Sequence, residues 1–338
     1  MEFFNKLRHF ALVGVFLTAF AASAEPAEPG EAKESFKVSE VILDHVLDDH
    51  VWHIADGLVI HLPVIVYSEA GLDVFSSSNF FNGHEAAEYN GYKLEHGHIT
   101  RNGNRVWDFS ITKNAAMLFL TAAVIFTVFL SAASMAKKRR GKSPKGIQSF
   151  LEPVILFVRD EVVKPYIGPK YERFLPYMLT LFFFILIGNI LGLLPGSANL
   201  TGNIAVTMVL AVITFIITHL KSNKDYWKHI FWTPGIPLLM RPIFIPVEVI
   251  GIFTKPFALM LRLFVAITAG HILILSVICL IFVFKSFTVG IGASLAGLLI
   301  NLVEILVAGI QAYVFTLFSS LYIGMAMAAP HDEKGHEH

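Results

Sequence analysis

Two kinds of hydrophobic pattern divide the chain. Up to about residue 110 apolar and polar residues alternate over short distances. The segments LVIHLPVIVY (58–67) and GLDVFSSS (71–78) carry the period of two that suits strands, and SEVILDHVLDDHVWHI (39–54) carries helical spacing. Beyond this region the apolar residues run on. NAAMLFLTAAVIFTVFLSAASMA (114–136) is long enough to span a bilayer, and two further spans are expected at about 174–194 and 203–220, joined by the short loop PGSANLTG. Between the first and second spans, GIQSFLEPVILFVRDEVV (146–163) sets Phe150, Leu151, Val154, Ile155, Phe157 and Val158 opposite Glu152, Arg159 and Glu161. It is too polar to span and is predicted to lie as a helix at the inner interface.

The last third has a different rhythm. From Pro246, suited to a first helical position, to about Phe284 only Pro256 interrupts the pattern, and from about Ala293 to Ala328 nothing does. At helical rise each stretch is roughly 50 to 60 Å long, against a hydrocarbon core of about 30 Å. Neither can stand upright. The pattern predicts a hairpin of two helices tilted on the order of 55 to 60° from the normal, beyond the usual range, as expected if they wrap a curved partner.

Composition agrees with a multi-spanning membrane protein: of 338 residues 55% are hydrophobic and 15% charged. Net charge is zero, so no nucleic-acid partner is indicated, and the placement of charge carries the information. The basic clusters KKRRGKSPK (137–145) and KSNKDYWKH (221–229) are expected on the cytoplasmic side, the loop between 195 and 202 outside. The single cysteine, Cys279, excludes an intrachain disulfide or a cysteine metal cluster. At the start, Lys6, Arg8, an apolar stretch and the triplet Ala22, Ser23, Ala24 read as a secretory signal cleaved after Ala24, with an uncleaved first helix as the alternative.

Arg262 sits in the apolar run FALMLRLFVAITAGHIL, which contains no carboxylate. An intramembrane arginine costs about 2.5 to 3.5 kcal/mol on insertion scales, which makes a functional role the default. With the turn centred near residue 288, antiparallel packing puts His271 opposite Glu304 and Arg262 opposite Gln311. Glu248, Lys255 and Arg262 recur every seven residues on one face, and Glu304 and Gln311 share another. His271 and Glu304 are either a structural pair or a proton relay, imidazole and carboxylate both being exchangeable. Neither reaches Arg262, which lies about 13 Å along the axis from His271, so its partner is expected on another chain.

The segments KPFALMLRLF, AGH and LVEILVAGIQAYVFTLFSSLYI, with GNILGLLPG and NIAVTM earlier, resemble subunit a, the stator channel subunit of the membrane sector of F-type ATP synthases, over about residues 105–329. The resemblance implies an all-α polytopic membrane protein with five membrane helices, one interfacial helix and a proton-translocating role, with no cofactor or metal. It implies that Arg262 faces the carboxylates of a rotating c-subunit ring. It places His271, Glu304 and Gln311 at the outer half-channel and rotor face, and Glu248 near the inner half-channel. Asn189 and Asn203 match polar positions of the outer hairpin, where helix packing is an equal account. Implied partners are the c-ring, b-type peripheral stalk subunits, the rest of the synthase and the lipid bilayer. The chain has no GxxxxGK[ST] loop and is not expected to act on ATP itself.

Departures are Ala266, where the family often has Asn, and Gly192, where a carboxylate is sometimes found. The expected organisation is a signal peptide at 1–24, an exported domain at 25–110, a membrane channel domain at 111–329 and a cytoplasmic tail at 330–338. The protein is expected in a bacterial inner membrane with its mature N-terminus periplasmic. A competing reading is a secondary transporter binding an anion at Arg262, but no internal repeat supports it. The exported domain carries His45, His50, His53, His61, His84, His96 and His98, of which HVWH and HGH are possible metal ligands, solvated or packed histidines being the plainer account. With every intramembrane charge beyond residue 240, that domain is expected to be dispensable for conduction.

Overall fold

The structure is a computed structural model that describes residues 48–327, apart from 56–57, 69–70, 83–84, 87, 96–97, 103, 195 and 232–240. The expected signal segment, residues 39–47 and the tail fall outside the described residues.

The N-terminal part is built from short antiparallel strands. Strands β1 (Val51–Ala55) and β2 (Leu58–His61) pair with each other, and β3 (Pro63–Ser68) pairs with β4 (Gly71–Ser76), Tyr67 lying opposite Leu72. The small pairs β5 (Phe81–Asn82) with β6 (Glu85–Ala86), and β7 (Tyr92–Glu95) with β8 (His98–Arg101) and β9 (Asn104–Arg105), follow. Strand β10 (Trp107–Asp108) then returns to the free edge of β3. Alternation along β3 turns Val64 and Val66 into a core with Phe80, Tyr92 and Ile99 and leaves Tyr67 outside. The helical expectation for 39–54 is corrected at its end, because Val51–Ala55 is a strand. Its run of Val, Trp and Ile favours a pleated, half-buried surface, and β2 supplies the partner.

Four residues after Phe109 the chain enters α1 (Lys113–Lys138). Thr112 caps it, its hydroxyl accepting from the Ala115 amide. Helix α2 (Ile147–Phe157) is the amphipathic segment expected from the sequence, and it continues through a π-helical turn, Val158–Val163, into a short helical turn, Lys164–Ile167. Then come α3 (Tyr171–Gly192), α4 (Ile204–Leu220), α5 (Lys224–Phe231), α6 (Arg241–Phe284) and α7 (Phe287–Met327). Among the described residues four helical stretches, 113–138, 147–192, 242–284 and 287–327, are long and apolar enough to cross a membrane. Helix α4 is apolar but shorter, at 17 residues.

The long hairpin differs from expectation in two details. Helix α6 begins at Arg241, so Pro242 takes the early position that tolerates a missing N–H, while Pro246 and Pro256 are internal. The break between α6 and α7 is only Lys285 and Ser286, not the wider KSFTVGIG segment. Lys285 adopts φ 47°, and the Ser286 carbonyl accepts from the Gly290 amide at 2.9 Å, which starts the next helix at once.

Helices α6 and α7 pack against each other, α7 also against α3 and α6 against α4. Met178, Phe182, Leu259, Leu263, Phe315 and Ile323 form part of the shared core. The opposite side of the hairpin, including Phe253, Phe257, Val265, Leu298, Leu302 and Val303, is exposed and apolar. One close approach depends on glycine. A Cβ on Gly324 would overlap the carbonyl oxygen of Tyr166, where the turn after α2 crosses α7. Gly324→Ala is therefore expected to cost about 1 to 3 kcal/mol, from forcing backbone apart. Thermal unfolding of the purified chain would show it as a lowered midpoint, and an unchanged midpoint would refute the contact.

Candidate functional site

Arg262 projects from the exposed, apolar side of α6. Its guanidinium lies 4.3 Å from the centroid of the Phe318 ring on α7, and among the described residues it makes no ion pair. Phe318 lies seven residues beyond Gln311, the expected counterpart. The offset has a simple cause, since helical side chains lean toward their own N-terminus, which on α6 is toward higher numbers of antiparallel α7. A ring face stabilises a cation while leaving its planar edge open to an anion. Lys255, one heptad earlier, lies 5.8 Å from the Tyr322 ring in the same manner.

Glu304 is the contrasting group. It is 3% exposed, and both carboxylate oxygens are buried without a hydrogen bond to protein. It fits against Gly270: a Cβ there would stand 2.8 Å from Oε1. His271, the next residue, is half-buried on α6, so the structure brings the two expected relay residues to one depth of the hairpin. Gln311 is half-buried on α7, seven residues along the face of Glu304. Glu248 is exposed near the start of α6. Burial, and secondarily the Glu248 charge, raise the pKa of the Tyr226 phenol on α5. Tyr226 joins His219, Thr218, Lys255 and Tyr322 around a small recess between α4, α5, α6 and α7.

The two asparagines have defined local partners. Asn189 is 2% exposed; its Oδ1 accepts from the Thr201 hydroxyl and its Nδ2 donates to the Ala308 carbonyl at 3.4 Å, so it ties α3 to α7. Asn203 caps α4, its Oδ1 accepting from the Ala205 amide at 2.8 Å. Gly192 packs against Asn199, whose backbone Cα would lie 3.3 Å from an added Cβ, closer than an ordinary van der Waals contact.

The N-terminal sheet is joined to the helical part by polar contacts that sequence reasoning missed. The Trp52 indole donates to the Gly196 carbonyl at 2.6 Å, and Trp52 packs on Met117, Ala198 and Leu200. Asp48 accepts from the Asn114 amide at 3.1 Å and the Asp49 carbonyl from the Lys113 amide at 2.9 Å, which places this strand on the start of α1. His50, 2% exposed, shares a 3.0 Å hydrogen bond between Nε2 and Asp108. Burial alone would raise the Asp108 carboxyl, but hydrogen bonds from His50 and Ser110 outweigh it and hold its pKa at about 2. As a carboxylate, Asp108 accepts, so Nε2 carries a ring proton, while the buried Nδ1 has no protein partner. Thr121 on α1 is another buried hydroxyl without a partner. Only His50, the first histidine of HVWH, hinted at this site, since residues 50 and 108 are far apart in sequence. Among the described residues no three His, Cys, Asp or Glu side chains gather to hold a metal.

The family model described as ATP synthase A chain matches residues 115–324. A second, described as a domain of unknown function, matches residues 41–117. The chain is 38% identical over 325 residues to ATP synthase subunit a 2 of Chlorobaculum tepidum, covering 94% of this chain and 81% of that one. It is 44% identical over 239 residues to ATP synthase subunit a of Chloroherpeton thalassium, covering 69% and 71%. With ATP synthase subunit a 2 of Prosthecochloris aestuarii the identity is 36% over 340 residues, covering 96% and 92%.

Proposed function

The chain belongs to the ATP synthase A chain family, and we propose how its residues perform that family's task. It is a proton-translocating stator subunit of an F-type ATP synthase, integral to the membrane and working with the c-ring and the rest of the complex. In our reading the mature chain has five spans, α1, α3, α4, α6 and α7, with α2 at the inner interface. The signal peptide is removed after Ala24, the N-terminal sheet is exported and the C-terminus is cytoplasmic. Helices α6 and α7 lie steeply tilted along the rotor.

Protons reach the rotor through an outer half-channel lined by His271, Glu304 and Gln311, with Asn189 and Asn203 in its polar wall, and leave through an inner one near Glu248. Protonation on one side makes a rotor carboxylate neutral and able to enter lipid; on the other side it ionises again. A charged carboxylate is too costly in lipid, so Arg262 receives it as it arrives and blocks a direct leak between the half-channels. The guanidinium stays protonated throughout and exchanges one carboxylate for the next. One observation carries this reading: Arg262 is displayed on an apolar surface with a ring behind it and, among the described residues, no acid beside it.

Cross-linking in the assembled complex tests it. A cysteine at position 262 is expected to form a disulfide with one placed beside the rotor carboxylate, whereas Leu275→Cys is not. Equal cross-linking at both positions, or none at 262, would refute the rotor-facing assignment.

A further inference from the structure

A file of unsatisfied polar atoms leads from the N-terminal sheet toward Glu304. His50 Nδ1, Thr121 Oγ1 and both Glu304 oxygens are buried and make no hydrogen bond to protein, and their residues are 2%, 0% and 3% exposed. Buried polar groups are almost always satisfied, by protein or by ordered water, so three such residues in sequence along one route point to a hydrated passage. The stages are linked by packed elements and by positions that share a helix face. His50 follows Asp48 and Asp49, which hydrogen-bond the first amides of α1. Buried Asn114 and Thr121 are seven residues apart on one face of that helix, about 10 Å along its axis. The Thr121 methyl lies 3.8 Å from where Gly188 would carry a Cβ. Asn189 follows, hydrogen-bonded to Thr201 and to the Ala308 carbonyl, and Ala308 is one turn, about 6 Å, from Glu304.

We propose that the outer proton path enters beneath the N-terminal sheet, with His50 as the proton-handling residue of its mouth, Asp108 positioning that ring, and Asn114 and Thr121 lining the passage to Glu304. The inference rests on the reading of Glu304 and Gln311 as the outer half-channel. A proton carried in by water of the passage mouth binds Nδ1 of the neutral ring, whose Nε2–H stays on Asp108, and the water that carried it is left behind. The imidazolium then releases the Nδ1 proton to water beside Asn114, and the ring returns to its starting tautomer. The sheet thereby becomes part of the conducting machinery, against the expectation from sequence that it is dispensable.

The test uses the assembled complex in a Cys279→Ser background, with silver ion added from the outer side as a probe of water-exposed thiols. Thr121→Cys and Gln311→Cys are expected to make proton flux silver-sensitive by at least tenfold, and Phe119→Cys, on the exposed apolar side of α1, is not. His50→Ala should lower flux several-fold, with recovery on adding imidazole outside, which a purely structural role would not give. A silver-insensitive Thr121→Cys beside a sensitive Gln311→Cys overturns the entrance and leaves the half-channel reading intact. Insensitivity of both removes the outer path itself. Wild-type flux in His50→Ala removes His50 from it.

Discussion

Arg262→Ala is expected to lower coupled proton pumping and ATP synthesis by about 100-fold or more while the complex still assembles. The magnitude follows from a lost stabilisation of about 3 kcal/mol for an ionised carboxylate at membrane depth, each 1.4 kcal/mol being about tenfold. Assembly should survive because the side chain is exposed and fills no core position. Its truncation leaves Phe318 on the surface and opens no cavity. Arg262→Lys should fail as well. An ammonium can rest near a ring, but it lacks the planar fork that stacks on Phe318 while offering its edge to a carboxylate, and it binds its own hydration more strongly. ATP-driven pumping in reconstituted vesicles, with subunit content checked in the same preparation, measures this. Pumping within a factor of two of wild type by an intact Arg262→Ala complex would sink the role assigned to the arginine.

The second large effect concerns the pair on the other face. His271→Glu and Glu304→His are each expected to reduce proton flux on the order of tenfold, and the double exchange to recover a substantial part. Each single change sets two like groups at one depth of the hairpin, two carboxylates or two imidazoles, and their titrations couple. The double change restores one of each. Gly270 makes the exchange sterically reasonable, because the space over it that now holds the Glu304 carboxylate has no side chain to compete for it. Passive flux through the membrane sector, measured for all three variants, decides the matter. A double variant no better than the worse single one would argue against a direct pair.

How much of this was legible in sequence depended on the length over which a pattern is sustained. Helices α6 and α7 announced themselves because about 40 apolar residues without a turn signal admit few alternatives. The antiparallel register followed from the turn position alone, and it placed Glu304 beside His271 to within a residue. Arg262 stood out through its cost. The position of its guanidinium over Phe318 did not, because side-chain lean is a property of the packed pair and leaves no trace in spacing. Strands β5 to β9, each two to four residues long, were too brief for any period to register. The link between His50 and Asp108 was equally hidden, since it joins residues 58 apart in sequence and β10 pairs with β3 across the hairpins that lie between them in the chain.

The hydrogen bond from Trp52 to Gly196 has a consequence for biogenesis. Its two ends are 144 residues apart, and the indole end is synthesised first. In an exported sheet, Trp52 reaches the outer side of the membrane before the loop that receives it has been made. Until α3 and α4 are inserted with that loop facing outward, the indole and the apolar patch of Met117, Ala198 and Leu200 cannot close on each other. In that reading, a subunit whose α3 and α4 insert with the loop on the other side leaves the indole and this patch uncovered, so one contact ties the packing of the N-terminal strands to the topology of helices made after them.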